Sequence, residues 1–478
     1  MPECPTCGRA LKFAPDGSQF CPVCQPEPQL ARPPRPTLKQ YLVRFPVTFG
    51  LIGANVAVYL AMVASHVSPT SPTTAQLLRW GADSGEKVLL GHQWWRVVTG
   101  AFVHIGIVHI GMNMWALWVL GALSEAVLGP YLYLGIYFVC TIAASLTSLY
   151  WHPIAVGAGA SGAIMGILGA MVSVLKLGRL PLPAPVLRST MRSLVQGALL
   201  TLVIGIYGSI DNAAHLGGLA CGLIIGFFLS LTRRADQQSQ PLLRRLCILI
   251  PLALMAPYAV AVKRHSEPIA LLVRALDQIQ NSQYAQAEKE VREVLKSRPS
   301  DPDALGVLSE ALMDQNRDAE AVPYLQALLT QDPSSEFAAD NLANIELNAG
   351  NAVAARDLLT KTLPSQPKNA LGQVYLGQAL EQLKQDDQAI AQYRKAVEMD
   401  PKLYQAQMAL GEIYEKHNDP RHAIWFYDTA AQLHPNEADP LLGLARNYKA
   451  LGLNQQEQQV IAKIQTLQKH QSQSPSEK

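Results

Sequence analysis

The chain is short of charge. Only 16% of its 478 residues are Asp, Glu, Lys or Arg, against about a quarter in ordinary soluble domains. The shortage is local. Apolar runs fill residues 46–262, and the charges gather from about residue 265 onward. A net charge of +2 gives no field to hold a polyanion, so no nucleic-acid partner is expected. Lys and Arg stand instead beside apolar runs, which is a membrane pattern. The N-terminus reads MPECPTCGRA and has no apolar run, so no cleavable signal peptide is expected. Cysteine is absent after Cys247. Cys140, Cys221 and Cys247 lie in apolar segments and read as small buried hydrophobes. The length allows two or three domains.

The other four cysteines crowd the start. Residues 4–24 read CPTCGRALKFAPDGSQFCPVC, two C-x-x-C knuckles 13 residues apart. A tetrahedral zinc ion takes four thiolates, and each knuckle offers two from one tight turn. Cys4, Cys7, Cys21 and Cys24 are therefore the expected ligands of a structural Zn2+ in a zinc-ribbon-like knuckle over residues 1–25. So short a segment buries no core, and the metal would supply its folding energy. Two disulfides are the alternative. Thiolate ligands favour a reducing compartment, which points to the cytoplasm. Residues 26–45 read as a Pro-rich linker.

A bilayer core takes about 20 apolar residues per helix. Spans are expected near 46–67, 102–124, 131–150, 156–175, 193–210, 212–232 and 246–262. The last is short and contains Pro251 and Pro257. Basic flanks set the direction. Arg32, Arg35, Lys39 and Arg44 precede the first span; Lys176, Arg179, Arg188 and Arg192 follow the fourth; Arg233, Arg234, Arg244 and Arg245 follow the sixth. A cytoplasmic N-terminus puts all three clusters inside, and a seventh span then delivers the C-terminal tail to the outer face.

Polar residues inside a membrane are costly and read as functional candidates. Ser161 opens the fourth span, within GAGASGAIMGILGA. His215 lies near the outer end of the sixth, which runs in the same direction. Gly162, Gly166 and Ala170 face Gly218, Gly222 and Gly226 as two small-xxx-small stripes, which let helix backbones approach closely. The imidazole then reaches the serine hydroxyl, a weak nucleophile unless a base takes its proton. On the second span His109 and Asn113 share a face and can donate to an oxyanion, together with the Ser161 N–H. Taken alone, Ser161 could be a packing serine, His215 a structural histidine, and His109 with Asn113 interhelix glue. His104 stays open between structure and the oxyanion site. Trp94 and Trp95 read as interfacial anchors, and Asp211 with Asn212 as a helix cap.

These residues resemble the rhomboid intramembrane serine proteases. Gly159-Ala160-Ser161-Gly162, Ala214-His215 followed by Gly218 and Gly222, and His109 with Asn113 match in order, as do Trp95-Arg96 and Glu125. The resemblance covers residues 46–232. It implies a six-helix core and a Ser161–His215 dyad without a catalytic aspartate. His109, Asn113 and Ser161 would hold the oxyanion, and Gly159, Gly162, Gly218, Gly222, Arg96 and Glu125 would support them. It also implies cleavage in or beside substrate transmembrane helices, with small residues near the cut, and no cofactor for catalysis.

The tail is periodic. Pro299, Pro333, Pro367, Pro401 and Pro435 are 34 residues apart. Ala287, Ala321, Ala355, Ala389 and Ala423 keep the same step, as do Leu308, Leu342, Leu376, Leu410 and Leu444. Period 34 resembles the tetratricopeptide repeat, a helix pair that buries its face only by stacking on its neighbours. About five pairs and a final helix are expected within 265–468, then a disordered tail over 469–478. The repeats read as a dimerisation arm or scaffold, or as a groove recruiting a peptide or protein partner.

The expected fold is all-α: a polytopic membrane bundle over 46–232, a basic loop and seventh helix over 233–264, then an α-solenoid. The expected function is a multi-pass serine endopeptidase of a bacterial inner membrane, acting on transmembrane protein substrates in the lipid bilayer. The alternative is a catalytically silent rhomboid-like scaffold that holds client helices; a mere membrane-anchored adaptor would need only one span.

Overall fold

The computed structural model describes residues 2–13, 19–21, 23–24, 43–178, 183–207, 211–232 and 238–473. Outside these lie residues 26–42 of the linker with Arg32, Arg35 and Lys39, and also Arg179, Arg233, Arg234 and the tail beyond residue 473. The chain forms two compact units. One comprises residues 1–83, 95–148 and 156–258, and the other residues 84–94, 149–155 and 259–478.

The first unit starts with a short antiparallel pair, β1 (Lys12–Phe13) and β2 (Gln19–Phe20). The helices that frame the site follow: α1 (Pro46–Ala64), the short α2 (Thr74–Arg79), then, after a single helical turn at Arg96–Thr99, α3 (Ile107–Leu128), α4 (Pro130–Trp151), α5 (Ser161–Leu177), α6 (Ala184–Tyr207) and α7 (Asn212–Thr232). Then comes α8 (Gln240–Gln280). By length and composition α1, α3, α4, α6, α7 and α8 can each cross a membrane, and α5 is a shorter apolar helix. Almost every residue of α5 is buried. A helix apolar on all sides belongs at the centre of a bundle, and α5 packs in a core with Leu117 of α3, Tyr133, Tyr137 and Cys140 of α4, and Ile225 and Leu229 of α7.

Four spans differ from their sequence expectation. The fifth starts at Ala184, not 193, because it continues through Arg188 and Arg192, which a hydropathy window leaves out. The fourth starts at Ser161, not 156, because Gly157 pairs with Asp83 in a β-bridge and Gly159 has φ +119°. The second starts at Ile107, not 102, after Gly106 at φ +132°. The seventh is no short segment. It is a 41-residue helix that passes through Pro251 and Pro257, about 60 Å long at 1.5 Å per residue. Proline is tolerated in membrane helices where neighbours and local adjustment re-satisfy the freed carbonyls.

Glu125 on α3 explains where α1 begins. Its carboxylate accepts from the N–H groups of Val47 (3.0 Å) and Thr48 (2.9 Å) and from the Thr48 hydroxyl (2.8 Å). The first N–H groups of a helix lack intrahelical partners, and a carboxylate both satisfies them and suits the positive end of the helix dipole.

In the second unit the end of α8 and α9 (Tyr284–Ser297) form the first helix pair. Five more follow: α10 (Pro302–Met313) with α11 (Asp318–Gln331), α12 (Glu336–Asn348) with α13 (Ala352–Thr362), α14 (Ala370–Gln382) with α15 (Asp386–Met399), α16 (Tyr404–Lys416) with α17 (Pro420–Leu433), and α18 (Asp439–Ala450) with α19 (Asn454–Gln473). The last unit is thus a full pair rather than a single helix, and its helix runs past residue 469. The five period-34 alanines are fully buried. Each pair turns at one left-handed residue, Ser282, Asn316, Gly350, Lys384, Asn418 or Gly452, with φ between 55° and 77°. The small residues at helix crossings have a physical cause: a Cβ at Gly411 would come within 2.8 Å of the Tyr427 ring. That ring is fully buried, and its hydroxyl donates to Glu415 at 2.7 Å.

Candidate active site

Ser161 is the first residue of α5, and His215 lies in the first turn of α7. The two helices run side by side at glycine contacts. A Cβ on Gly218 would overlap the Gly162 carbonyl oxygen, one on Gly222 the Gly166 carbonyl, and one on Gly226 would meet the Ala170 carbonyl. A Cβ on Gly162 would lie 2.6 Å from that of Ala144 on α4. Only backbones without side chains come this close. The approach puts His215 Nε2 2.9 Å from Ser161 Oγ. His215 is 2% exposed, and its Nδ1 has no hydrogen-bond partner among the described residues. Asp211 does not reach that nitrogen by a hydrogen bond. It caps α7 instead, its Oδ1 accepting from Ala214 N at 3.0 Å.

On α3, His109 and Asn113 meet the turn that leads to the serine. A Cβ on Gly159 would lie 2.5 Å from the His109 ring and 3.5 Å from Asn113 Nδ2. Gly159 therefore serves twice, for its left-handed φ and for the room. Ile105 N donates to His109 Nδ1 at 3.4 Å, so the ring hydrogen sits on Nε2. Asn113 Nδ2 is buried without a partner among the described residues. As the first helical residue, Ser161 also carries an N–H with no intrahelical acceptor. His104 is fully buried, its ring 5.3 Å from that of His109. Burial pushes it down to about 4, so the ring is neutral, and its Nδ1–H donates to Phe102 O at 3.3 Å.

Arg96 donates from Nη1 to the carbonyls of Leu78 (2.6 Å) and Ala82 (2.8 Å) and lies 4.6 Å from the centre of the Trp95 ring. It ties down the long segment between α1 and α3.

A cavity of about 440 Å3 adjoins Ser161 and His109. Asp83, Thr141, Ser145, Ser148 and Asp211 also line it, and sequence reasoning gave none of the first four a role. A signal was present: Thr141, Ser145 and Ser148 are polar, lie inside an apolar span and recur at helical spacing.

The four N-terminal cysteines form a separate cluster, their Sγ atoms all within 4.8 Å of one another. Gly8 N closes the first knuckle on Cys4 O at 2.9 Å, and Cys24 N donates to Cys21 Sγ at 3.4 Å. The N–H groups of Cys24 and Val23 hold the Cys21 thiol down at about 6. Four converging sulfurs on two tight turns fit a metal ion.

The chain is thus a multi-pass membrane helix bundle with a Ser–His pair at adjacent helix N-termini, followed by helix-pair repeats. The Rhomboid domain family model matches residues 91–232, and the Tetratricopeptide repeat model matches 272–336, 341–403 and 387–438. Rhomboid protease AarA of Providencia stuartii is 33% identical over 200 residues, covering 37% of this chain and 70% of that protein. Rhomboid protease GluP of Bacillus subtilis (strain 168) is 29% identical over 283 residues, covering 58% of this chain and 54% of GluP. The solved structure of PilW, a type IV pilus biogenesis factor, is 19% identical with a TM-score of 0.38, over 42% of this chain and 92% of that one. This chain belongs to the rhomboid family and is an integral membrane protein.

Proposed function

We propose that the protein is an intramembrane serine endopeptidase with Ser161 as nucleophile and His215 as its base. The carrying observation is the 2.9 Å contact between Ser161 Oγ and His215 Nε2, made beside a cavity by two separate apolar helices. Ser161 gives its proton to His215 Nε2 as Oγ bonds to the scissile carbonyl carbon. The carbonyl electron pair moves onto oxygen, where His109 Nε2–H, Asn113 Nδ2 and the Ser161 N–H stabilise it. Collapse breaks the C–N bond, and His215 returns the proton to the leaving amine. Water then adds to the acyl-serine, gives its proton to His215, and Ser161 leaves with it. The substrate helix must unwind near the outer leaflet first, because an intact helix hides its carbonyls in its own hydrogen bonds. The test is cleavage of a transmembrane model substrate by purified protein in detergent, with a serine-reactive phosphonate probe alongside. Silence in both assays would favour the scaffold reading.

We place the N-terminus in the cytoplasm and the repeat domain outside a bacterial inner membrane, on the positive-inside rule. Protease added to intact spheroplasts is expected to digest the repeat domain; a shielded tail would overturn this topology. The repeats would raise the local concentration of a substrate or adaptor near the site.

We assign zinc to Cys4, Cys7, Cys21 and Cys24, since four thiolates suit a tetrahedral structural site. Elemental analysis is expected to find one zinc per chain. Stripping it with a chelator should unfold residues 1–25 and leave cleavage intact. Loss of cleavage on chelation would contradict a purely structural metal.

A further inference from the structure

The cavity beside Ser161 holds two carboxylates for which the hydrolytic steps have no use. Asp83 lies in the segment between α1 and α3 and is 5% exposed. Its N–H and C=O both pair with Gly157, at 3.1 and 3.0 Å, so the backbone fixes its position. Its carboxylate accepts from the Ser145 hydroxyl. A Cβ on Gly157 would overlap that carboxylate, so glycine is required where the segment leading to Ser161 passes it. Asp211, the cap of α7, accepts from the Ser148 hydroxyl. Ser145 and Ser148 are one turn apart on α4, and both line the same cavity as Ser161.

Among the described residues no cationic group forms an ion pair with either carboxylate. Arg96 is the positive charge whose field reaches Asp83, yet its Nη1 is held by the Leu78 and Ala82 carbonyls. Burial, opposed by the Ser145 hydrogen bond and reinforced by the charge of Asp211, pushes the Asp83 carboxyl up to about 7. A buried carboxylate such as that of Asp83 is costly unless a cation joins it, and the partly buried Asp211 adds a second acidic group to the same cavity wall.

Substrate geometry indicates what would join them. When a scissile carbonyl sits at Ser161 Oγ, its own Cα is one bond away. The cavity beside the serine is therefore within reach of the side chain on that Cα. The volume, about 440 Å3, admits a long side chain, and its near walls include Ala101, Met112 and Ala144, which suit a methylene stem. Resting on the protease reading above, we propose that Asp83 and Asp211 make this cavity a specificity pocket for a cationic side chain, so that the residue on the amino side of the cut is Lys or Arg. The small residues implied by family resemblance would then apply to neighbouring positions and not to this one.

The test is kcat/KM of the purified full chain on one transmembrane substrate carrying Lys, Arg, Met, Ala or Glu before the cut. Met matches Lys closely in length without its charge. Lys and Arg are expected to exceed Met by roughly tenfold or more, the range of close charge pairs in desolvated sites. D83N should bring the Lys-to-Met ratio down by a similar factor, and D211N should lower it too. A wild-type ratio at or below one would overturn the proposal, and this arm stands even where a variant fails to fold. Equal slowing of every substrate by both variants, with the ratio unchanged, would also overturn it and would give the acids to water handling or folding. Cleavage of the Ala substrate with rejection of Lys and Arg would end this inference and leave the protease reading intact. No cleavage of any substrate, with no phosphonate labelling of Ser161, would end both.

Discussion

Ser161→Ala is expected to abolish cleavage, with a loss of roughly 10⁴-fold or more, and His215→Asn to do nearly the same. The double variant should be little worse than either single one, because a nucleophile and its base act as one unit and their losses do not add. Without the serine no acyl intermediate forms. Without the imidazole, the hydroxyl keeps a proton it cannot shed at neutral pH. His109→Ala leaves the dyad in place and removes one oxyanion donor, so it should cost about 10²–10³-fold, mainly in kcat. The measurement is kcat and KM on a transmembrane model substrate, with circular dichroism to show that each variant is folded. Cleavage that persists in Ser161→Ala would mean another nucleophile or a contaminating protease, and the mechanism would fall. Full activity in His215→Asn would remove the imidazole from the base role.

The second large effect is expected at Gly222. A methyl group there meets the backbone carbonyl of Gly166 on α5, and a backbone cannot swing aside as a side chain can. The two helices must separate, and the contacts that hold a membrane helix pair are short-range packing contacts. Gly222→Ala is therefore expected to destabilise the bundle by ~3 kcal/mol or more. Activity should fall with it, because Ser161 and His215 ride on the two helices being pushed apart. Gly53→Ala on α1 and Gly197→Ala on α6 are the controls. A Cβ meets nothing within 4 Å at either position, and alanine is the better helix former, so stability should hold or rise slightly. Thermal unfolding in detergent, read beside cleavage, checks all three. A Gly222→Ala protein as stable and active as its controls would show that close α5–α7 contact is not what assembles the site.

Much of this was legible because the relevant signals are periodic or local. Spans follow from apolar length, since a bilayer demands about 20 residues. The repeat follows from alanine, leucine and proline at one interval, since each helix pair meets its neighbour in the same way. Ser161, His215, His109 and Asn113 stood out because polar groups in apolar helices need a reason. The misplaced ends have local causes that a hydropathy window averages away: Gly106 and Gly159 break the backbone inside apolar runs. The length of α8 was hidden by Pro251 and Pro257, which end helices in water more readily than in a membrane.

The sequence by itself determined the class of the protein: apolar spans, two glycine stripes, a serine and a histidine at matching depth, a thiolate cluster and a 34-residue solenoid repeat. Each is a property of composition or spacing along one segment. Only the tertiary structure decided that Asp83, from a connecting segment, turns inward to meet Ser145, and that Asp211 also accepts from Ser148. It also decided which nitrogen of His109 accepts, and that a cavity with two carboxylates adjoins the serine. These facts depend on side chains from segments far apart in the chain. Their meeting depends on how the connecting segment and the helices α3, α4 and α7 fold back on one another, which no spacing along the chain encodes.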